Sequence, residues 1–92
     1  MRSHEWRDRT DDGEQRLLRA RHHAGRWSLE ARLKSETGFQ LLDPPPLRDL
    51  QMLLEIVAAK YRRGRAPHEH IAELQALVEQ AAAREAGRPG PH

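Results

Sequence analysis

The sequence predicts an all-α protein whose main element is an antiparallel helical hairpin, preceded by a short helix and a flexible charged arm. Two observations carry this prediction. Apolar side chains between residues 47 and 63 recur at spacings of three, four, three and four, the pattern of a helix packed along another helix. A second amphipathic segment follows Gly64-Arg65-Ala66, and so short a connection makes two helices fold back on each other.

Residues 1–26 are expected to form a flexible, arginine-rich extension. They contain seven arginines, five acidic residues and three histidines, but only three large apolar residues, Trp6, Leu17 and Leu18. A segment of this composition buries too little surface to offset the entropy lost on ordering. The predicted organisation is therefore an extension over residues 1–26, a helical module over residues 27–87 and a disordered tail over residues 88–92.

A short helix is predicted over residues 27–37. Leu29 and Leu33 are four positions apart and would share one helical face, and Gly38 is placed to end the segment. The run Asp43-Pro44-Pro45-Pro46 then lacks three backbone donors, so it separates this helix from the hairpin.

The hairpin helices are predicted over residues 47–63 and 67–87. Gly64 follows the first helix, where a left-handed residue is needed, and Pro67 suits the first position of the second helix. The residues that would form the seam between the helices are apolar and recur at helical spacing. They are Leu47, Leu50, Leu54, Val57 and Tyr61 on the first helix, and Ile71, Leu74 and Val78 on the second.

The first hairpin helix carries more apolar surface than one partner helix can cover. Met52, Ile56 and Ala59 form a second stripe roughly opposite the seam. Two interpretations stay open: the short helix with Leu29 and Leu33 covers this stripe, or another protein does. Because only 37% of the chain is hydrophobic, its own core is marginal. We therefore take these five residues as the candidate partner-binding set.

The charge balance argues against nucleic acid as a partner. Lysine and arginine number 16 against 14 acidic residues, and both signs are interspersed along most of the chain. One basic cluster remains as a possible nucleic-acid or phosphate contact, formed by Lys60, Arg62, Arg63 and Arg65 beside Tyr61. The alternative is that these residues complement the dipole at a helix C-terminus.

Catalysis, cofactors and metal ions are not expected. No glycine-rich phosphate loop is present, cysteine is absent, and the histidines of His22-His23 and His68-x-His70 lack the spacing that places two ligands on one helical face. No run approaches the roughly 20 apolar residues of a membrane span. We expect a cytoplasmic, non-enzymatic protein.

Three segments in succession carry a family resemblance: Leu29-Glu30-Ala31-Arg32-Leu33, then Lys60-Tyr61-Arg62-Arg63-Gly64, then the helix beginning Ile71-Ala72-Glu73-Leu74. With this layout the chain resembles the type III secretion needle co-chaperone family (YscE/PscE/EscE-like). The resemblance covers residues 28–87. It implies a small helical co-chaperone that stabilises a partner, a helical-repeat chaperone, by helix packing.

The function expected from the sequence is therefore protein binding, as a co-chaperone or assembly subunit. Two alternatives stay open. One is a homo-oligomeric structural or regulatory adaptor that uses the same apolar stripes on itself. The other is a nucleic-acid-binding module that uses the N-terminal arm and the cluster from Lys60 to Arg65.

Overall fold

The structure, a computed structural model, describes residues 2–87 and contains both strands and helices. The all-α prediction is therefore wrong. Four strands precede two helices in the order β1 Arg2–Arg9, β2 Gln15–His23, β3 Arg26–Leu33, β4 Gln40–Leu42, α1 Leu47–Arg62 and α2 His68–Ala86. The chain divides into two compact units, with the sheet in residues 1–45 and the helices in residues 46–92.

The first unit is a four-stranded antiparallel sheet in which each strand pairs with the next along the chain. Residues 1–26, predicted as a flexible arm, instead supply β1, β2 and the first residue of β3. The prediction of a flexible arm failed because it used only the amino-acid composition, and not the order in which apolar and charged residues follow each other. From Leu18 to Arg21, apolar and charged side chains alternate, so a strand places Leu18 and Ala20 on one face and Arg19 and Arg21 on the other.

The helix predicted over residues 27–37 is also wrong, because residues 26–33 form β3. Trp27, Leu29, Ala31 and Leu33 alternate with polar residues, which is the period of a strand with one apolar face. A spacing of four between Leu29 and Leu33 is a multiple of two, and so fits a strand as well as a helix. Leu29 is fully buried on β3.

Two turns set the register of the first three strands. In the loop after β1, the Thr10 N–H donates to the Glu14 carbonyl at 2.9 Å, and Gly13 has a φ of +86°. Between β2 and β3 only Ala24 and Gly25 intervene, and their φ values of +52° and +75° are both positive, as in a type I′ hairpin turn. Tight turns of this kind fix which residues lie opposite each other.

The second unit consists of α1 and α2, which occupy the segments where the sequence predicts helices and pack against each other. Gly64 has a φ of +73°. The Arg65 N–H donates to the Lys60 carbonyl and the Gly64 N–H to the Tyr61 carbonyl, each at 2.8 Å. These two bonds form a Schellman motif, which ends α1 and turns the chain towards α2.

The helices run antiparallel, as contacts at both ends of the pair show. The Leu47 N–H at the start of α1 donates to Glu85 Oε2 near the end of α2 at 2.8 Å. At the other end, the Tyr61 and His68 rings meet edge to face with their centroids 5.6 Å apart.

Neither helix of the described residues is long and apolar enough to cross a membrane. The predicted tail, residues 88–92, lies outside the described residues.

Candidate nucleic-acid interface

Most arginines of the sheet lie on one of its two faces, which we call the outer face; the face with the buried side chains is the inner face. Side chains alternate between the faces of a strand, and residues paired across antiparallel strands share a face. The register therefore places one set of side chains opposite the face that carries the buried Leu18, Ala20 and Leu29. We call this set, with the contacting Phe39, the arginine face. It comprises Ser3, Glu5, Arg7, Arg9, Gln15, Leu17, Arg19, Arg21, His23, Arg26, Ser28, Glu30, Arg32, Leu41 and Phe39.

Charge on this face is unbalanced. Six arginines lie there against two glutamates, Glu5 and Glu30, so the face carries 6 − 2 = +4, whereas the whole chain carries only +2. Arg7, Arg9 and Arg26 are exposed, and Arg19, Arg21 and Arg32 are partly exposed. Because side chains alternate between the faces of a strand, charges that are interspersed in the sequence give one face an excess of positive charge.

The glutamates are confined to one cross-strand row. Glu5 lies opposite Arg19, which lies opposite Glu30. Glu30 Oε1 is 3.4 Å from Arg19 Nε and 3.6 Å from Arg21 Nε, so a single carboxylate is shared by two guanidinium groups. The other rows of the arginine face contain no acidic residue, and of their arginines only Arg21 lies close to a carboxylate of the face, that of Glu30.

On the inner face, in contrast, an arginine is paired with a carboxylate of its own. Arg16 and Asp8 are cross-strand partners, and Arg16 donates through Nε to Asp8 Oδ1 at 2.8 Å and through Nη2 to Oδ2 at 2.6 Å. This bidentate, partly buried pair satisfies the Arg16 guanidinium. The charge of Arg16 is therefore not counted with the outer face.

Phe39 adds an aromatic ring to the arginine face. The Arg19 guanidinium carbon lies 4.1 Å from the ring centroid, and that of Arg32 lies 5.6 Å from it. The loop that carries the ring is fixed to β3, because Arg32 Nη1 donates to the Glu36 carbonyl at 2.6 Å and the Leu33 N–H donates to Glu36 Oε1 at 2.9 Å. Both cation–π contacts hold guanidinium planes against an aromatic surface.

A cavity of about 240 Å³ opens beside this ring. Glu5 and Arg7 line it from β1, Leu17 lines it from β2, and Phe39 lines it from the loop. Trp6 and Leu18 complete the lining, so the cavity combines apolar residues with one carboxylate and one guanidinium.

The predicted partner-binding residues are distributed over both units. Met52, Ile56 and Ala59 lie on α1, where Met52 is 43% exposed and the other two are half-buried. Leu29 and Leu33 lie on β3 of the sheet unit, with Leu29 buried in the inner face. The predicted set therefore belongs to one helix and one strand, and not to two helices as expected.

The predicted hairpin seam is rotated relative to the side that α1 buries. Leu50, Val57 and Leu74 are buried, and Leu53 is fully buried although it lies outside the predicted seam. Tyr61 is 42% exposed at the end of α1. The remaining seam residues are half-buried: Leu47, Leu54, Ile71 and Val78.

The predicted basic cluster lies at the end of α1. Arg62, Arg63 and Arg65 are exposed and Lys60 is half-buried. The Lys60 carbonyl accepts from the backbone N–H groups of both Arg63 at 3.1 Å and Arg65 at 2.8 Å, so the backbone of this cluster forms the helix cap.

Sequence reasoning missed the arginines of the sheet, although the alternation in Trp27-Ser28-Leu29-Glu30-Ala31-Arg32-Leu33 indicates a strand with a charged face.

No protein-family model matches this chain, and the searches of curated proteins and of solved structures gave no match.

Proposed function

We propose that this protein binds single-stranded nucleic acid on the arginine face of its sheet. The observation that carries the proposal is the net charge of +4 on one face of a chain whose total is +2. Neutralisation of phosphates by lysine and arginine supplies most of the affinity in non-specific nucleic-acid binding. Concentration of this charge on one face is the distribution typical of such proteins.

The spacing of the arginines suits an extended phosphate backbone. Arg7 and Arg9 are alternate residues on β1, and Arg19 and Arg21 are alternate residues on β2. Alternate Cα atoms along a strand lie about 6.6 Å apart, and neighbouring strands lie about 4.8 Å apart. The face thus offers repeated guanidinium groups over a length of several nucleotides.

The aromatic ring favours a single strand over a duplex. Bases of single strands stack on aromatic side chains and on guanidinium planes, both of which meet at Phe39, Arg19 and Arg32. A duplex keeps its bases stacked on each other and would use only the charges.

Fluorescence anisotropy with a labelled 12-nucleotide single strand tests this function. With about four phosphates neutralised, the slope of log affinity against log salt concentration is roughly −3. The matched duplex is expected to bind more weakly at equal salt. Absence of single-strand binding at low salt, or binding that does not change with salt, would contradict the proposal.

A second candidate function is self-association through the helical unit. An open groove on α1 and α2 is lined by Leu54, Ala58 and Ile71, with Glu55 and Arg62 beside them. Glu55 and Arg62 lie two helical turns apart on α1 and so share a face. A two-fold axis near Ala58 would place each glutamate against the arginine of a second copy.

Light scattering over a range of concentrations tests self-association. Reversing one charge with Arg62→Glu should weaken a dimer, and the double exchange Glu55→Arg with Arg62→Glu should restore it. A chain that stays monomeric at high micromolar concentration would rule out this second function.

A further inference from the structure

The cavity beside Phe39 has the chemistry of a nucleobase site. It opens on the arginine face, from which Glu5, Arg7, Leu17 and Phe39 line it. Trp6 and Leu18 complete the lining; they are cross-strand partners whose side chains belong to the inner face. We propose that this cavity takes one base of the bound strand and prefers guanine, an inference that rests on the function proposed above.

The apolar part of the cavity suits the flat surface of a base. Leu17 lies directly opposite Arg7 in the strand register, and Phe39 is held over the sheet by its contacts with Arg19 and Arg32. A ring that is fixed in this way loses little conformational freedom when a base stacks against it. Every base gains from this contact, so stacking alone does not select among them.

Selectivity comes from the pairing of Glu5 with Arg7. A carboxylate offers two acceptor oxygens and no donor, whereas a guanidinium offers only donors. Guanine alone among the four bases presents two adjacent donors, N1–H and N2–H, on one edge. Its O6 and N7 acceptors on the neighbouring edge match arginine. Adenine and cytosine each place a ring-nitrogen lone pair next to their amino group, and uracil flanks its single N–H with two carbonyl oxygens, so both arrangements repel a carboxylate oxygen.

The positions of the two residues allow both contacts with one purine. Glu5 and Arg7 are alternate residues on β1, so their Cα atoms lie about 6.6 Å apart and their side chains leave the same face. Both side chains are exposed. Neither forms an ion pair with another side chain that the structure describes. Their hydrogen-bonding groups are therefore available to a ligand.

The test uses the full chain and a series of labelled oligouridine 12-mers that differ at one central position, which is G, A, C or U. Wild-type protein should bind the G-containing strand about tenfold more tightly than the other three. Glu5→Gln replaces one acceptor by a donor, so we expect the preference for G to disappear while binding of the uridine strand is kept or strengthened.

Glu30→Gln is the matched control. It removes the same charge from the same face at a residue that does not line the cavity. This variant should bind all four strands more tightly and keep the preference for G. Equal wild-type binding of all four strands with a steep salt dependence would overturn the guanine site and leave the proposed function standing. Failure to bind any strand would contradict both.

Discussion

The Arg19 guanidinium packs against the Phe39 ring on the arginine face. The Arg19 guanidinium carbon lies 4.1 Å from the ring centroid, although the two residues are 20 positions apart in the sequence. Glu30 contacts the same guanidinium at 3.4 Å. One arginine is thus fixed by a ring and a carboxylate, and the ring in turn is fixed over the charged strands.

Phe39→Ala should weaken single-strand binding, because a base that stacks on an aromatic ring gains about 1–3 kcal/mol. We expect a loss of about tenfold or more in affinity, with little change in salt slope because no phosphate contact is removed. Leu41→Ala is the control, since Leu41 lies opposite Glu30 and is 62% exposed. An equal loss in both variants would show that Phe39 has no special role.

Leu18→Ala tests whether residues 1–26 belong to a packed sheet. Leu18 is 1% exposed, and removing a buried leucine side chain costs about 2–5 kcal/mol of unfolding free energy. Its neighbour Leu17 is only partly buried on the outer face, so Leu17→Ala should cost clearly less. Urea unfolding followed by tryptophan fluorescence measures both. Unchanged stability in Leu18→Ala would mean that this region is the flexible arm expected from composition.

Glu85→Ala tests the contact that closes the helix pair. Pro46 precedes α1 and provides no side-chain cap, whereas the Leu47 N–H donates to Glu85 Oε2 at 2.8 Å. A carboxylate here both accepts an otherwise unpaired donor and meets the positive end of the α1 dipole. Because the site is exposed, we expect a loss of only about 0.5–1 kcal/mol.

Glu79→Ala is the control for that measurement, because Glu79 is exposed within α2 and has the same charge. Circular dichroism at 222 nm during urea unfolding compares the two variants. A loss in Glu79→Ala as large as that in Glu85→Ala would show that the effect does not come from the contact with the Leu47 N–H.

The helical unit could be predicted from sequence, but the sheet unit was not. In α1 and α2 the apolar spacing, Gly64 and Pro67 all indicate the same local structure. In the sheet, each local signal is ambiguous: Leu29 and Leu33 fit two periods, and Ala24-Gly25 lacks the asparagine that usually marks a type I′ turn. Strand formation there depends on pairing between segments, which composition does not report.

The arginine face was missed for the same reason. In an irregular or helical segment, charges interspersed along the chain are spread over the surface. In a strand, alternate side chains share a face, so the same spacing can place like charges together. Once Arg19 and Arg21 are placed on β2 beside Arg7 on β1, the same charges accumulate on one side. The basic cluster from Lys60 to Arg65 can be recognised in the sequence because its four basic residues lie within six positions.

A comparison of two double variants tests the central claim most directly. Arg7→Gln with Arg21→Gln removes two charges from the sheet, and Arg62→Gln with Arg63→Gln removes two from the end of α1. With sheet binding, the first pair lowers single-strand affinity at least about tenfold and flattens the salt slope by about 1–1.5, whereas the second pair changes both little. Equal losses in the two double variants, or a larger loss in the second, would contradict binding on the arginine face.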